Sequence, residues 1–165
     1  KLAEKMRILR GHGMSKTKKY WHEEIGFNYR MTNLQAAIGV AQLERIDAFI
    51  KAKRRNAKLY SKHLANQPNI TLPVEEPYAK NVYWLYSILL NDNFPTTRDE
   101  LVKKLKERGI DSRPLFYPCS TMPPYRDANN TISKNLSKRG ISLPSSTDLT
   151  EEQIKFICNT IKELS

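Results

Sequence analysis

Thiols are nearly missing from this sequence: Cys119 and Cys158 are the only two in 165 residues. They form no Cys-x-x-Cys pair and no Cys/His cluster, so neither a zinc site nor any other metal centre is expected. Two isolated cysteines without a leader-like N-terminal segment predict a reduced, cytosolic protein rather than a disulfide scaffold. Long apolar runs are missing too; none approaches the ~18–20 residues that cross a bilayer. Internal repeats and low-complexity tracts are absent. Acidic residues are in short supply, 17 Asp and Glu against 28 Lys and Arg, which leaves a net charge of +11.

The shortage is local. Residues 1–62 hold 15 basic and 5 acidic side chains, a surplus of 10, whereas residues 63–165 hold 13 and 12. A basic stretch of this kind can draw nucleic acid, an anionic surface or a phosphorylated ligand; the plainer reading is a solvated helix face whose acidic partners lie elsewhere. Lysine dominates the stripe, where nucleic-acid readout needs arginine or aromatic side chains beside it, so a nucleic-acid-binding module stands only as an alternative. What is present suffices for one core, with 39% hydrophobic residues in about one domain's length. The chain opens with Lys1 inside a helical pattern (Leu2, Met6, Leu9), which predicts a piece of something longer.

The stretch Gly26–Ile46 organises the rest. Residues 26–31 form an aromatic and polar turn, and Thr32 with Gln35 has the spacing of a capping box, which predicts a helix from Asn33. Leu34, Ile38 and Ala41 share one face; Ala36, Val40 and Leu43 form a second. A helix apolar on two sides is expected to be buried on two sides and to hold the turn before it rigidly. Apolar spacing continues through Ile46, Phe49, Ile50, Ala57, Tyr60 and Leu64, with Pro68 beyond. One helix of about 32 residues is predicted, ~48 Å long at ~1.5 Å per residue. That length suits a connection between domains: residues 1–31 as the tail of a larger domain with a site loop, 32–66 as the linking helix, and 67–165 as a small C-terminal domain.

Upstream, Gly11-His12-Gly13 breaks the first helix, and Ser15–Glu24 is a lysine-rich loop. Downstream, residues 67–80 read as loop or edge strand, limited by Pro73 and Pro77. Val82–Leu90 is the strongest strand pattern and is apolar on both faces, hence central. Thr97–Glu100 and Thr150–Gln153 are two further capping boxes; the first helix runs to about Arg108 and stops at Gly109, and the second continues through Leu164. Ile110–Arg113 reads as a short strand ended by Pro114, residues 132–139 as a short helix closed by Gly140, and Ile141–Leu143 as a last strand. Leu115–Arg126 is a proline-punctuated loop carrying Phe116, Tyr117 and Tyr125. The predicted class is α/β: a short, mostly antiparallel sheet with helices on one face.

The run Phe27-Asn28-Tyr29-Arg30-Met31-Thr32, followed by Leu34-Gln35-Ala36-Ala37, Gly39 and Gln42-Leu43, resembles the signature of the DegT/DnrJ/EryC1/StrS sugar aminotransferases, with Phe27 where Tyr is usual. Arg10-Gly11-His12-Gly13-Met14 upstream, and Arg113-Pro114-Leu115-Phe116-Tyr117-Pro118 and Leu143-Pro144 downstream, extend the resemblance over nearly the whole chain. The Phe116-Tyr117-Pro118 version is most similar to the perosamine-synthase branch. The resemblance implies the C-terminal portion of the aspartate-aminotransferase-like fold and pyridoxal 5'-phosphate as cofactor. It implies amino transfer from glutamate to a nucleotide-linked 4-keto-6-deoxy sugar, in surface-polysaccharide or O-antigen sugar biosynthesis, by a homodimer. It also implies that the Schiff-base lysine and the carboxylate facing the pyridine nitrogen precede Lys1. No catalytic residue is therefore expected here, and the chain alone is expected to be inactive. A 3-dehydratase of the same family, with histidine in place of that lysine, is the alternative within the family.

The resemblance assigns Asn28 to the cofactor phosphate held by the neighbouring subunit; an amide donates well to phosphate oxygen, and a helix start offers backbone N–H groups. Taken by itself, Asn28 is a turn residue bonding its own backbone. His12 is a ligand-contacting group or a turn residue. Arg30 suits a substrate phosphate or a buried carboxylate, and Arg113 a diphosphate or a strand-end carboxylate. Tyr29 goes with Arg30 to the substrate side. The loop from Arg113 to Thr121 resembles the substrate-facing loop of such enzymes: Tyr117 can stack or donate a hydrogen bond, and Phe116 serves ligand or core. Ser120 stands where many relatives carry histidine, which leaves sugar and nucleotide open.

Overall fold

The structure, a computed structural model, describes residues 1–123 and 130–165; Tyr125 and Arg126 of the expected loop lie outside them. The chain forms two compact units, residues 1–46 and 47–165.

The first unit holds α1 (Leu2–Leu9) and α2 (Asn33–Leu43). The capping box forms as read: Gln35 N–H donates to the Thr32 hydroxyl oxygen at 3.2 Å, and Thr32 N–H donates to Gln35 Oε1 at 2.9 Å. The expected two-sided burial of α2 is not found. None of its residues is buried, and Leu34 and Leu43 are 74% and 68% exposed. Backbone hydrogen bonds and the cap suffice to form the helix, but its own unit lays nothing over its apolar faces. Covering such side chains is worth about 1.5–3 kcal/mol apiece, so these faces favour association.

The single long helix is also corrected. α2 ends at Leu43, and α3 (Ile46–Leu64) begins after a turn at Glu44 and Arg45. Arg45 N–H bonds to the Gln42 carbonyl, three residues back rather than four, at 3.1 Å. Apolar spacing does not register such a local tightening of the ladder.

The second unit contains most of α3, then β1 (Ile70–Thr71), β2 (Tyr86–Leu90), α4 (Arg98–Glu107), β3 (Arg113–Pro114), a 3-10 turn (Cys119–Thr121), α5 (Thr131–Arg139), β4 (Gly140–Leu143) and α6 (Glu151–Glu163). The sheet order is β1-β2-β4-β3 and every pairing is antiparallel. The expected α/β class with a short antiparallel sheet is what forms. β2 lies inside the sheet, as its pattern indicates, but starts at Tyr86 rather than Val82. Asn81 Oδ1 accepts from Tyr83 N–H at 2.8 Å and Tyr83 sits at φ +48°, a local turn that takes residues 82–85 out of the ladder. β3 is Arg113–Pro114 rather than Ile110–Arg113; as an edge strand it tolerates the missing proline donor.

Register puts the core on one sheet face. Tyr86 pairs with Leu143 and Ile88 with Ile141, all fully buried. Tyr60 and Leu64 of α3, Leu101 and Leu105 of α4, and Ile154 and Ile161 of α6 belong to the same core cluster. The Tyr60 ring stacks on Tyr86 at 4.9 Å between centroids, and its hydroxyl donates to the Pro144 carbonyl at 2.9 Å. Arg98, 8% exposed, closes the end of α5 by donating from Nη1 to the Ser137 and Gly140 carbonyls at 3.0 and 3.1 Å. Those carbonyls lie at a helix end where intrahelical donors run out.

The core also sets an alkaline limit. Burial pushes the Cys158 thiol up to about 12 from 9.0, and the Tyr86 phenol up to about 12 from 10.0; Tyr60 is raised as well, by burial first and then by Cys158 and Tyr86. Above the unfolded values the folded chain keeps protons that the unfolded chain releases, so stability falls as pH rises from about 9 toward 12. Circular dichroism across that window is expected to show progressive unfolding, with the onset moved upward in Cys158→Ala; a flat profile contradicts this.

Candidate functional site

The turn bearing Asn28 is held by the segment before it. Phe27 N–H donates to the Leu9 carbonyl at 2.6 Å, Tyr29 N–H to the Arg10 carbonyl at 3.0 Å, and His12 N–H to the Phe27 carbonyl at 3.0 Å. The two segments run antiparallel with Gly11 opposite Asn28. Farther along, the backbones cross too closely for side chains. A Cβ on Gly13 would lie 2.0 Å from the Glu24 oxygen, and one on Gly26 would lie 2.0 Å from Gly13 N. Gly13 also sits at φ +65°, a conformation glycine adopts without steric cost.

Phe27 and Tyr29, two residues apart, stack at 5.2 Å on one side of this ladder, so alternation turns Asn28 to the other. Asn28 is exposed, and its side-chain amide has no hydrogen-bond partner among the described residues. The local turn-forming bond open to it in the sequence is thus not made.

His12 and Arg30 come together. They line a hollow of about 280 Å³ with Arg7, Arg10 and Lys16. Lys16 pairs with Glu4, whereas Arg7, Arg10 and Arg30 have no acidic partner among the described residues. Of the two options for Arg30, a buried carboxylate is therefore not the one realised within this chain. The His12 carbonyl accepts from His22 Nδ1 at 2.8 Å, and His12 itself holds φ +66°. Tyr29 does not line this hollow; with Phe27, Met6 and Leu9 it borders a separate apolar one of about 460 Å³.

In the second unit Arg113 lines a hollow of about 470 Å³ with Trp84 and Phe116. The two rings stack at 6.4 Å with 16° between their planes, and both are mostly exposed. Phe116 is thus not a core residue. Register places Ser87, Ser142 and Arg113 in one row across β2, β4 and β3, on the face away from the core, and the two serine hydroxyls lie 2.9 Å apart. Arg113 approaches Asp111 only at 3.7 Å, with both side chains about four-fifths exposed; such a pair contributes little. Lys53 Nζ donates to the Trp84 carbonyl at 3.0 Å and to the Ser145 carbonyl, and burial holds its pKa below the usual lysine value. Tyr117 is exposed and outside the lining of this hollow; Ser120 is half-buried, its hydroxyl sequestered without a partner among the described residues.

The sequence reading missed Arg7, Arg10 and Lys16 in the first unit and Lys53 and Trp84 in the second. Arg7, in the last turn of α1, and Arg10, at its C-terminal cap, are three residues apart, a visible signal. The apolar alternation extends the expected strand back over Trp84, and the turn-forming Asn81 three residues earlier is the signal against it.

The chain matches the DegT/DnrJ/EryC1/StrS aminotransferase family over residues 1–162. It is 46% identical over 165 residues to a GDP-perosamine synthase of Vibrio cholerae, covering 98% of this chain and 45% of that protein. It is 43% identical over 167 residues to a GDP-perosamine synthase of Caulobacter vibrioides, with 99% and 45% covered. Among solved structures, Helicobacter pylori PseC, described as an aminotransferase involved in the biosynthesis of pseudoaminic acid, superimposes with a TM-score of 0.87 at 26% identity over 99% of this chain and 46% of that one. The chain thus spans a little under half the length of these relatives. With an antiparallel α/β unit, an Asn-Tyr-Arg-Met turn locked by paired glycines and a family match running almost end to end, this chain belongs to the DegT/DnrJ/EryC1/StrS aminotransferase family.

Proposed function

We propose that this chain is the C-terminal part of a pyridoxal-phosphate-dependent aminotransferase that moves an amino group from glutamate to a nucleotide-linked 4-keto-6-deoxy sugar. Residues 1–31 belong in this reading to the larger domain and 67–165 to the small one, in a cytosolic homodimer. The observation that carries the reading is the Asn28 turn: an unpartnered amide on a backbone that two glycines hold in place.

The donor set fits a phosphate-bearing cofactor. Asn28 Nδ2 donates to a phosphate oxygen across the subunit contact, and the uncovered α2 faces supply apolar surface for that contact. When bound, pyridoxal phosphate supplies the electron sink that amino transfer requires. Arg30, beside His12 in the cationic hollow, binds substrate phosphate. Arg113 and the Trp84–Phe116 pair offer a cation beside a stacking wall, the chemistry that holds a ring-bearing anion. The perosamine synthases among the relatives favour a GDP-linked sugar.

The intact protein tests this directly. Incubated with glutamate and GDP-, UDP- or dTDP-linked 4-keto-6-deoxy sugars, it is expected to convert the GDP-linked one with a kcat/KM at least about tenfold above the others. No glutamate-dependent amino sugar from any of them overturns the reading. In the same assay Trp84→Ala is expected to raise KM for the nucleotide sugar about 5–150-fold, from a stacking loss of about 1–3 kcal/mol, and to leave KM for glutamate unchanged.

A further inference from the structure

The outer face of α3 carries a second cationic hollow, separate from the residues assigned above. It has a volume of about 610 Å³ and is walled by Lys51, Arg54, Arg55 and Lys58 of α3 and by Lys80 from the loop after β1, over the apolar stems of Ile50 and Leu59. Its charge is only partly answered. Arg54 forms a fork with Glu75, at 2.7 and 3.0 Å, which holds that carboxyl down at about 2. Arg55 donates only to neutral acceptors, the Asn56 amide oxygen and the Leu149 carbonyl at 2.8 Å. Lys51, Lys58 and Lys80 have no acidic partner within ion-pair distance among the described residues. Asp47, in the first turn of α3, is the one remaining carboxylate in the lining.

The spacing deepens the imbalance. Lys51 and Arg55, and Arg54 and Lys58, are four residues apart; Lys51 and Arg54, and Arg55 and Lys58, are three apart. Like charges at these separations repel along a helix. Four such pairs, answered only by the Glu75 fork and by Asp47 four residues before Lys51 among the described residues, form a face that an external anion relieves. Lys51 and Lys58 are about 10 Å apart along the axis at ~1.5 Å per residue, and the guanidinium groups are held by their own hydrogen bonds. A set of cations distributed in this way answers a string of anionic groups better than a single one. The lining contains no aromatic side chain on which a base could stack.

We propose that this hollow on α3 binds a linear polyphosphate group, the phosphate chain of a small soluble molecule. Arg55 supplies a fixed donor, and Lys51, Lys58 and Lys80 close on the chain.

The test is a titration of the 165-residue chain with inorganic tripolyphosphate, followed by backbone amide NMR and repeated with inorganic phosphate at equal ionic strength. Tripolyphosphate is expected to shift amides of residues 50–60 and 80, and to bind at least about tenfold tighter than phosphate, as distributed charge-assisted contacts require. Lys51→Glu with Lys58→Glu is expected to weaken it at least about tenfold. Lys103→Glu with Lys106→Glu, the same charge change on exposed positions of α4, is expected to leave it within about twofold, since distant exposed charges are screened. Shifts confined to residues 7–30, equal affinity for phosphate, or equal loss in both double variants overturns the proposal. Binding instead by anionic vesicles or an acidic peptide, with no tripolyphosphate response at residues 50–60, overturns it as well.

Discussion

Gly26→Ala is expected to dissolve the turn that bears Asn28 while leaving the sheet unit folded. The added methyl would sit 2.0 Å from Gly13 N and 2.3 Å from the His12 carbonyl carbon, both backbone atoms that cannot swing aside as a side-chain end would. Gly13, pressed against the Glu24 carbonyl, leaves no room on its own side. The ladder must therefore open, at a cost on the order of 3 kcal/mol or more, the scale of severe overpacking. Because residues 1–46 and 47–165 are separate compact units, the damage stays local. Hydrogen exchange gives the readout. Amides of His12, Phe27 and Tyr29, which donate across the crossing, are expected to lose protection, and amides of Tyr86–Leu90 to keep it. Unchanged protection at all three, or loss in both places, contradicts this account of how the turn is held.

Tyr60→Ala is expected to cost about 3–5 kcal/mol, as deletion of a large buried aromatic does. Tyr60 is fully buried, and its ring fills the space between α3 and β2 against Tyr86. Its hydroxyl satisfies the Pro144 carbonyl just after β4, so the variant loses core volume and a tie between helix and sheet together. Against the 5–15 kcal/mol that typical domains hold in reserve, that loss is a large fraction. Tyr60→Phe removes only the hydroxyl and is expected to cost about 1 kcal/mol. Urea unfolding of both variants separates the two contributions; near-equal losses would show that the hydroxyl, not the ring, carries the effect.

The parts of this fold legible in the sequence are those decided locally. Three capping boxes, at Thr32, Thr97 and Thr150, form as their three-residue spacing indicates. Gly109 takes the left-handed stop expected of it, at φ +75°. The alternation of Tyr86, Ile88 and Leu90 reads correctly as an inner strand. What escaped is set by tertiary geometry. The cluster of Arg7, Arg10, Lys16, His12 and Arg30 exists because the chain doubles back through Gly13 and Gly26, a crossing that apolar periodicity does not encode. The placement of Trp84 depends on one backbone turn at Tyr83. The apolar pattern of α2 was read correctly as a pattern, yet its burial depends on a surface that this unit does not supply.

Cofactor affinity of the intact protein carrying Asn28→Ala tests the central claim most directly. Losing one amide hydrogen bond to a charged phosphate oxygen is worth about 1.5–3 kcal/mol, so the dissociation constant for pyridoxal phosphate is expected to rise about 10–150-fold, with the thermal midpoint of the cofactor-free protein unchanged. An affinity equal to that of the unaltered protein would mean that the Asn28 amide does not reach the phosphate, and the account of this turn would be wrong.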